Sequence, residues 1–517
     1  MKTKIYMIFF VLLLPNIIFA QIPRIYRSDA IEAKQEYIQG TPFQKDFLLF
    51  LDMLINVHPY FANTANNSWN IDNVKKKGYN DVGRIMDNES YALYLQNVCS
   101  TLHDGHTVIQ SLIFNNTNVY PLAYVKKQDG YYVKTISREY NHYLGKQIKC
   151  INDVPIKDVI SSFRTDVSAD TDIAENKAIS NYAFCMRAFW SNKPFARADK
   201  KIKITFSDND EIFLNALSKS ELDLETIRDN TLQPSSTTSS SIPFTYRIDE
   251  AHKFAHLVFK KCEDRYTRMR LLQMMGAKID DKQIQQLNGL PDFNVFLREF
   301  FKKVHDNKIE NIVIDVRNNG GGNDALAHEL LSWLCDIRKL KTMQCYIRLL
   351  QFAMDYYKDA YTSFSNKIEN INPNELYNCA YFMPCSSHTS EGNLNTAIVS
   401  DMTRYNTNPD SVYSGNVYFL QNENTYSSAA NLIIMAHDNN VGKIIGSQGA
   451  FCCNSYGDIL QFKLPNTGIE GSVSHKYFIR PDETHIDNFI TPIPIIQIIS
   501  EKKASNTAAF WELVLSQ

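Results

Sequence analysis

At 517 residues, with 44% hydrophobic and 21% charged side chains, the chain has ordinary globular composition and more length than one modest core needs, so two or three domains are expected. A net charge of −2 does not suggest the concentrated basic face that a phosphate backbone demands, and no nucleic-acid partner is expected. The ten cysteines make no CxxC pair and no Cys/His ligand spacing, so no zinc site is expected either.

Lys2 and Lys4 precede an almost wholly apolar run from Ile5 to Ala20, interrupted by Pro15, with a small residue just before Gln21. This is the pattern of a signal peptide over residues 1–20, with an uncleaved anchor as the alternative. No other stretch is long and apolar enough to span a bilayer, so the mature chain is expected in the periplasm or outside the cell, with no membrane span after signal removal. Export permits disulfides, and Cys379 and Cys385 are spaced for a short loop closure.

Residues 21–112 read as helical, because FQKDFLLFLDMLINVHPYF and SYALYLQNVCSTL carry apolar residues at helical spacing. The lysine run 75–77 in this region reads as a solvated face. Residues 118–216 read as a β-rich lobe with hairpins turning at Asp129-Gly130 and near Asp208. Between the hairpins, LGKQIKCINDVPIKDVISSF reads as strand, Asn-Asp turn, short strand and helix start. Residues 217–242, with the polar run PSSTTSSS, read as a linker or exposed loop. From 243 to 517 strands and helices alternate: KFAHLVFKK, FNVFLREFFKKVHDN, NIVIDV, DALAHELLSWLCDI, VYFLQN and SSAANLIIMAHD. That alternation predicts an α/β core with a helix-covered, largely parallel sheet.

Three segments carry residue types suited to chemistry. In the first, Ser427 and Ser428 lie between the strand VYFLQN and an apolar helix, where a serine can project from the sheet's C-terminal edge or simply cap the helix. In the second, NIVIDVRNNGGGN places Gly320 and Gly321 after a buried strand. Freed backbone amides there can face an anion, and a merely flexible turn is the other reading. No Lys-Ser or Lys-Thr follows the glycines, which argues against a phosphate loop. In the third, LHDGHT brings His103, Asp104 and His106 into one turn, which suits a general base, a metal site or a solvated turn.

Together, LHDGHT, IVIDVRNNGGG, and VYFLQNENTYSSAANLI followed by VGKIIGSQGAF resemble the tail-specific or C-terminal processing peptidases, with the tricorn core protease as a relative. The resemblance spans roughly residues 45–500 and implies a ClpP/crotonase-like sheet core with an inserted PDZ-like lobe, to which GKQIKCINDVPIKDVI is similar. It also implies a serine peptidase acting on proteins or peptides without metal or organic cofactor. Ser427 is then the nucleophile, and the amides of Ser428 and of Gly320 or Gly321 form the oxyanion hole. The bacterial processing branch uses a lysine base downstream of its serine, where this chain has Ala450-Phe451-Cys452-Cys453. His106 fits the histidine-base branch instead, although that branch has a serine where this chain has Gly105. Glu483 is the candidate to orient the imidazole, with Asp104 and Glu470 as rivals. A non-catalytic peptide- or ligand-binding protein on the same fold is the alternative, and an esterase a third reading. The chain has no Gly-x-Ser-x-Gly elbow, which counts against an α/β-hydrolase.

Overall fold

In the computed structural model of the chain, the described residues are 23–495, apart from 63–68, 115–117, 219–220, 223–225, 229–241, 275–280, 349–350, 353–370, 373, 379–401 and 486, together with 511. The expected signal peptide, the PSSTTSSS run, Cys379 and Cys385 lie outside them. Among the described residues no helix is long and apolar enough to cross a membrane. The described parts of Ile18–Pro234 and Ile459–Ser474 form one compact unit, and those of Ser235–Asp458 and His475–Gln517 a second.

The first unit opens with helices, as the apolar periodicity predicts: α1 (Pro42–Val57), α2 (Ile71–Val82) and α3 (Asn88–Ser100). Helix α1 starts where Thr41 Oγ1 accepts from the Gln44 N–H and Gln44 Oε1 accepts from the Thr41 N–H, with Pro42 at the first helical position. This reciprocal cap satisfies two donors that would otherwise be orphaned. The inner face of α1 buries Phe47, Phe50 and Leu54, each worth about 1.5–3 kcal/mol. One turn of that helix also buries a charge. Asp46 accepts from the Asn466 N–H and Nδ2 at 3.1 and 2.7 Å, and from the Thr467 N–H and Oγ1, both at 2.7 Å.

The same unit holds an antiparallel sheet in the order β1 (Leu122–Lys127), β2 (Gly130–Ser137), β3 (Gln147–Ile151), β4 (Ile202–Phe206) and β5 (Glu211–Leu214). Both hairpins form where the turn residues predict. Asn152 and Asp153 take φ of 49° and 65°, the left-handed pair of a two-residue hairpin turn, and return the chain to Val154–Pro155 beside β3.

In the second unit a five-stranded sheet runs in the order β11 (Lys443–Gly446), β10 (Asn416–Gln421), β8 (Asn311–Asp315), β7 (Phe254–Phe259) and β6 (Phe244–Asp249), with β9 (Gln344–Ile347) outside it. Only the β6·β7 pair is antiparallel. Strands β8 and β10 are buried along nearly their whole length, as expected for a parallel sheet covered on both faces. Helix α4 (Phe293–Asp306) starts from Asp292, whose carboxylate accepts from the Asn294 and Val295 N–H groups, and sinks Phe293, Leu297, Phe300 and Val304 into the core. Helix α5 (Ala325–Leu331) follows β8 and is shorter than its apolar run suggested. Helix α6 (Ser428–Asp438) follows β10.

The parallel β8·β10 register pairs Asp315 with Leu420, so the loops leaving both strands emerge side by side at the carboxyl edge of the sheet. That edge is where open α/β sheets bind ligands. Elsewhere in this unit the Arg404 guanidinium meets Asp264, Asp292 and Glu329 at 3.0, 3.3 and 2.5 Å and stacks over Tyr266. Burial lifts the Glu329 carboxyl to about 8: Arg404 opposes the shift, while Asp264 and Asp292 add to it. One cation does not neutralise three carboxylates.

Candidate active site

Between β10 and α6 the chain turns sharply at Ser427, which takes φ 53° and ψ −131°. A non-glycine residue in that region stores roughly 1–3 kcal/mol of backbone strain, so its surroundings must hold it there. Ser427 occupies the N-cap position, but its side chain makes no capping bond. The neighbours do the holding. Thr425 Oγ1 donates to the Val316 carbonyl at 2.9 Å, the Tyr426 N–H donates to the Asn319 carbonyl at 3.0 Å, and the Asn431 N–H donates to the Ser427 carbonyl at 2.9 Å.

The glycine loop after β8 is the other side of this clamp. Ser428 Oγ donates to the Gly322 carbonyl at 2.9 Å. The Cys262 N–H donates to the Gly321 carbonyl, the Asn323 N–H to the Cys262 carbonyl, and Asn319 Nδ2 to the Phe259 carbonyl. Gly321 has φ +102°, and a Cβ there would sit 2.6 Å from Ser427 Cβ and 2.9 Å from both Ser428 N and Tyr426 O. The loop is therefore pinned from both sides, and the flexible-turn reading fails.

The same contacts correct one expectation. The Gly321 N–H donates to Asn319 Oδ1 at 2.9 Å, so that amide already serves the loop. Among the described residues, the N–H groups of Gly320 and Ser428 have no protein acceptor. Residues that sequence reasoning passed over fasten the two motifs together. Asn422 Nδ2 and Asn424 Nδ2 both donate to Asn318 Oδ1, at 3.0 and 2.6 Å, and the Asn318 N–H donates to Asn422 Oδ1. The repeated asparagines in RNNGGGN and QNENTYS were the available signal. A buried lysine was also missed: Lys476 Nζ lies 2.5 Å from Asp458 Oδ2. Burial raises the nearby Asp324 carboxyl, with Ser428, Asn431 and Lys476 opposing the shift.

His106 belongs to the first unit, in the turn after α3. Asp104 is wholly buried there and organises the turn. Its Oδ1 accepts from the His106 N–H at 2.9 Å and lies 3.6 Å from His106 Nδ1. Its Oδ2 accepts from Thr107 Oγ1 at 2.5 Å and pairs with His58 Nε2 at 3.0 Å. The Tyr60 N–H donates to His58 Nδ1, which leaves Nε2 as the protonated, donating nitrogen. Burial by itself would raise the Asp104 carboxyl, but the two imidazoles override it and hold it well below the usual carboxylate range. The His106 ring is partly exposed, and its carbonyl accepts from Ser472 Oγ at 2.8 Å. The Gly105 N–H donates to Asp170 Oδ1. His58, contributed from outside LHDGHT, had no sequence signal beyond its residue type.

Of the three carboxylates considered for orienting His106, the structure sets Asp104 beside the ring. Glu483 is exposed and accepts from Gln344 Nε2 at 2.6 Å, and Glu470 pairs with Lys463 at 2.8 Å.

Residues 283–493 match the family model of Peptidase family S41, a range holding Gly320, Gly321, Ser427 and Ser428 but not His106. No curated protein matches the chain. Among solved structures, mature CPAF complexed with lactacystin is 18% identical, with 88% of this chain and 93% of that one covered at a TM-score of 0.55. A second structure of mature CPAF is 17% identical, covering 88% and 92% at 0.51. The photosystem II D1 C-terminal processing protease is 10% identical, covering 90% and 99% at 0.39. Residues 283–493 of the chain are thus similar to Peptidase family S41, and the chain shares its fold with mature CPAF.

Proposed function

We propose that this protein is an exported endopeptidase that cuts protein or peptide substrates with Ser427 as nucleophile and His106 as base. Ser427 Oγ attacks the substrate carbonyl as His106 takes its proton. The tetrahedral oxyanion is met by the N–H groups of Ser428 and Gly320, Gly321 being engaged by Asn319. His106 then protonates the leaving amine, and water releases the acyl group by the same steps in reverse. One such amide donor is worth about 10²–10³ in rate. Asp104 takes the orienting role first given to Glu483, because its charge lies 3.6 Å from the His106 ring nitrogen. No cofactor enters the scheme. The β1–β5 lobe is read as PDZ-like, taking an extended peptide end along a sheet edge.

The observation that carries this reading is the strained Ser427 backbone, held against the glycine loop with its side chain left out of helix capping. Such strain is retained where the surrounding structure over-determines it, commonly at functional sites. Ser427→Ala should abolish hydrolysis of an unfolded protein substrate while leaving the circular dichroism unchanged; retained turnover removes the nucleophile assignment. A serine-directed phosphonate should label the wild type at Ser427, whereas an inert peptide binder would not react. Glu483→Gln should keep most of the activity that His106→Ala loses.

A further inference from the structure

Helix α6 begins at the strained serine and ends, about 16 Å away at 1.5 Å per residue, beside a cluster of two histidines and an aspartate. We propose that His437, Asp438 and His485 form a binding site for one divalent transition-metal ion of the zinc class. Among the described residues they are the one group of at least three His, Cys, Asp or Glu side chains placed to share an ion. One ligand atom from each lies within 4.8 Å of the others. All three belong to the second unit. The two imidazole rings lie edge to face with centroids 5.3 Å apart.

Zinc bonds of about 2.0–2.1 Å in a tetrahedral site bring ligand atoms to roughly 3.4 Å of one another. The observed spacing therefore needs a closure of about 1.5 Å at most, which side-chain rotation of His485 on its exposed segment supplies. Asp438 is the fixed point. Its carboxylate accepts from Arg480 Nε and Nη2 at 3.0 and 2.5 Å and from the Asp482 N–H, and it pairs with His437 Nδ1 at 2.8 Å. Arg480 thus cancels part of the Asp438 charge. Asp482, whose Oδ2 lies 3.7 Å from His485 Nε2, adds a second carboxylate, with Lys341 acting on it as a more distant cation. The C-terminal end of a helix also favours a cation. Two imidazoles select zinc, copper or nickel over magnesium or calcium. With Arg480 competing for the carboxylate, micromolar affinity is expected, with solvent completing the ion's coordination. The ion would tie the end of α6 to the 480–485 segment and so stabilise the unit. Sequence spacing hid the site, since His437 and His485 stand far apart in the chain.

The test is titration of the chelator-stripped full chain with zinc chloride, followed by calorimetry and by melting. The expected result is one zinc per chain with micromolar affinity, a rise in Tm of about 3 °C at saturating zinc, and no response to magnesium. His485→Ala and His437→Ala should each weaken that binding at least tenfold while melting as wild type without metal. If either variant misfolds, His485→Gln, at an exposed position, serves as the second arm. No saturable zinc binding, or binding undiminished in the His485 variants, overturns the proposal. Neither outcome bears on Ser427, whose labelling is measured separately.

Discussion

Replacing Gly321 by alanine adds one methyl group where the glycine loop meets the Ser427 turn. The new Cβ would lie 2.6 Å from Ser427 Cβ and 2.9 Å from Ser428 N and Tyr426 O, and two of those three atoms are backbone. No side chain can swing aside to relieve the contact. The residue also has φ +102°, which L-residues rarely adopt. Backbone strain of roughly 1–3 kcal/mol and overpacking of roughly 1–3 kcal/mol give an expected destabilisation of about 2–6 kcal/mol. If the fold survives, the loop must retreat from Ser427 by a large fraction of an ångström. Misplacement on that scale costs about 10²-fold in turnover. Urea denaturation followed by circular dichroism gives the first quantity, and initial rates on an unfolded protein substrate give the second. Gly289→Ala is the control, since its Cβ would meet nothing closer than 3.3 Å. A Gly321→Ala variant with wild-type stability and turnover within twofold would refute the claim that this contact fixes the serine.

Asp46→Ala removes the acceptor of four hydrogen bonds to Asn466 and Thr467, and should cost roughly 3 kcal/mol by urea midpoint, far more than a surface Asp→Ala change. Asp104 has a depressed carboxyl, so its stabilisation is present above its unfolded value near 4 and is lost as pH falls through the lower folded value. The stability gap between wild type and Asp104→Asn should therefore narrow below about pH 4, and a gap that is flat with pH would contradict the assignment. Glu329 behaves oppositely: with a folded value of about 8, its burial costs stability progressively as pH rises from its unfolded value towards 8. The stability of Glu329→Gln relative to wild type should thus improve between pH 5 and 8; a decline would mean that the ionised carboxylate is what Arg404 needs.

The local signals in the chain fixed the elements well. Period-3.6 apolar runs became α1, α3, α4 and α6, and turn residues placed both hairpins of the β1–β5 sheet, because helix faces and turns depend on residues a few positions apart. The motifs NNGGGN and TYSSAA were visible for the same reason. What no local pattern carried was the partner of each feature. From its own segment Ser427 reads equally as a cap; its φ and ψ, and the Gly321 backbone against it, decide otherwise. Gly320 and Gly321 were indistinguishable in sequence until Asn319 claimed one amide. Asp104 and Glu483 were both acids of suitable type; the shared turn sets the first beside the His106 ring, whereas packing alone brought His58 to it. The Arg404 hub and the His437 and His485 pair likewise join residues remote in the chain. Periodicity says which face of an element is apolar, whereas sheet order and loop closure determine which distant side chain that element meets.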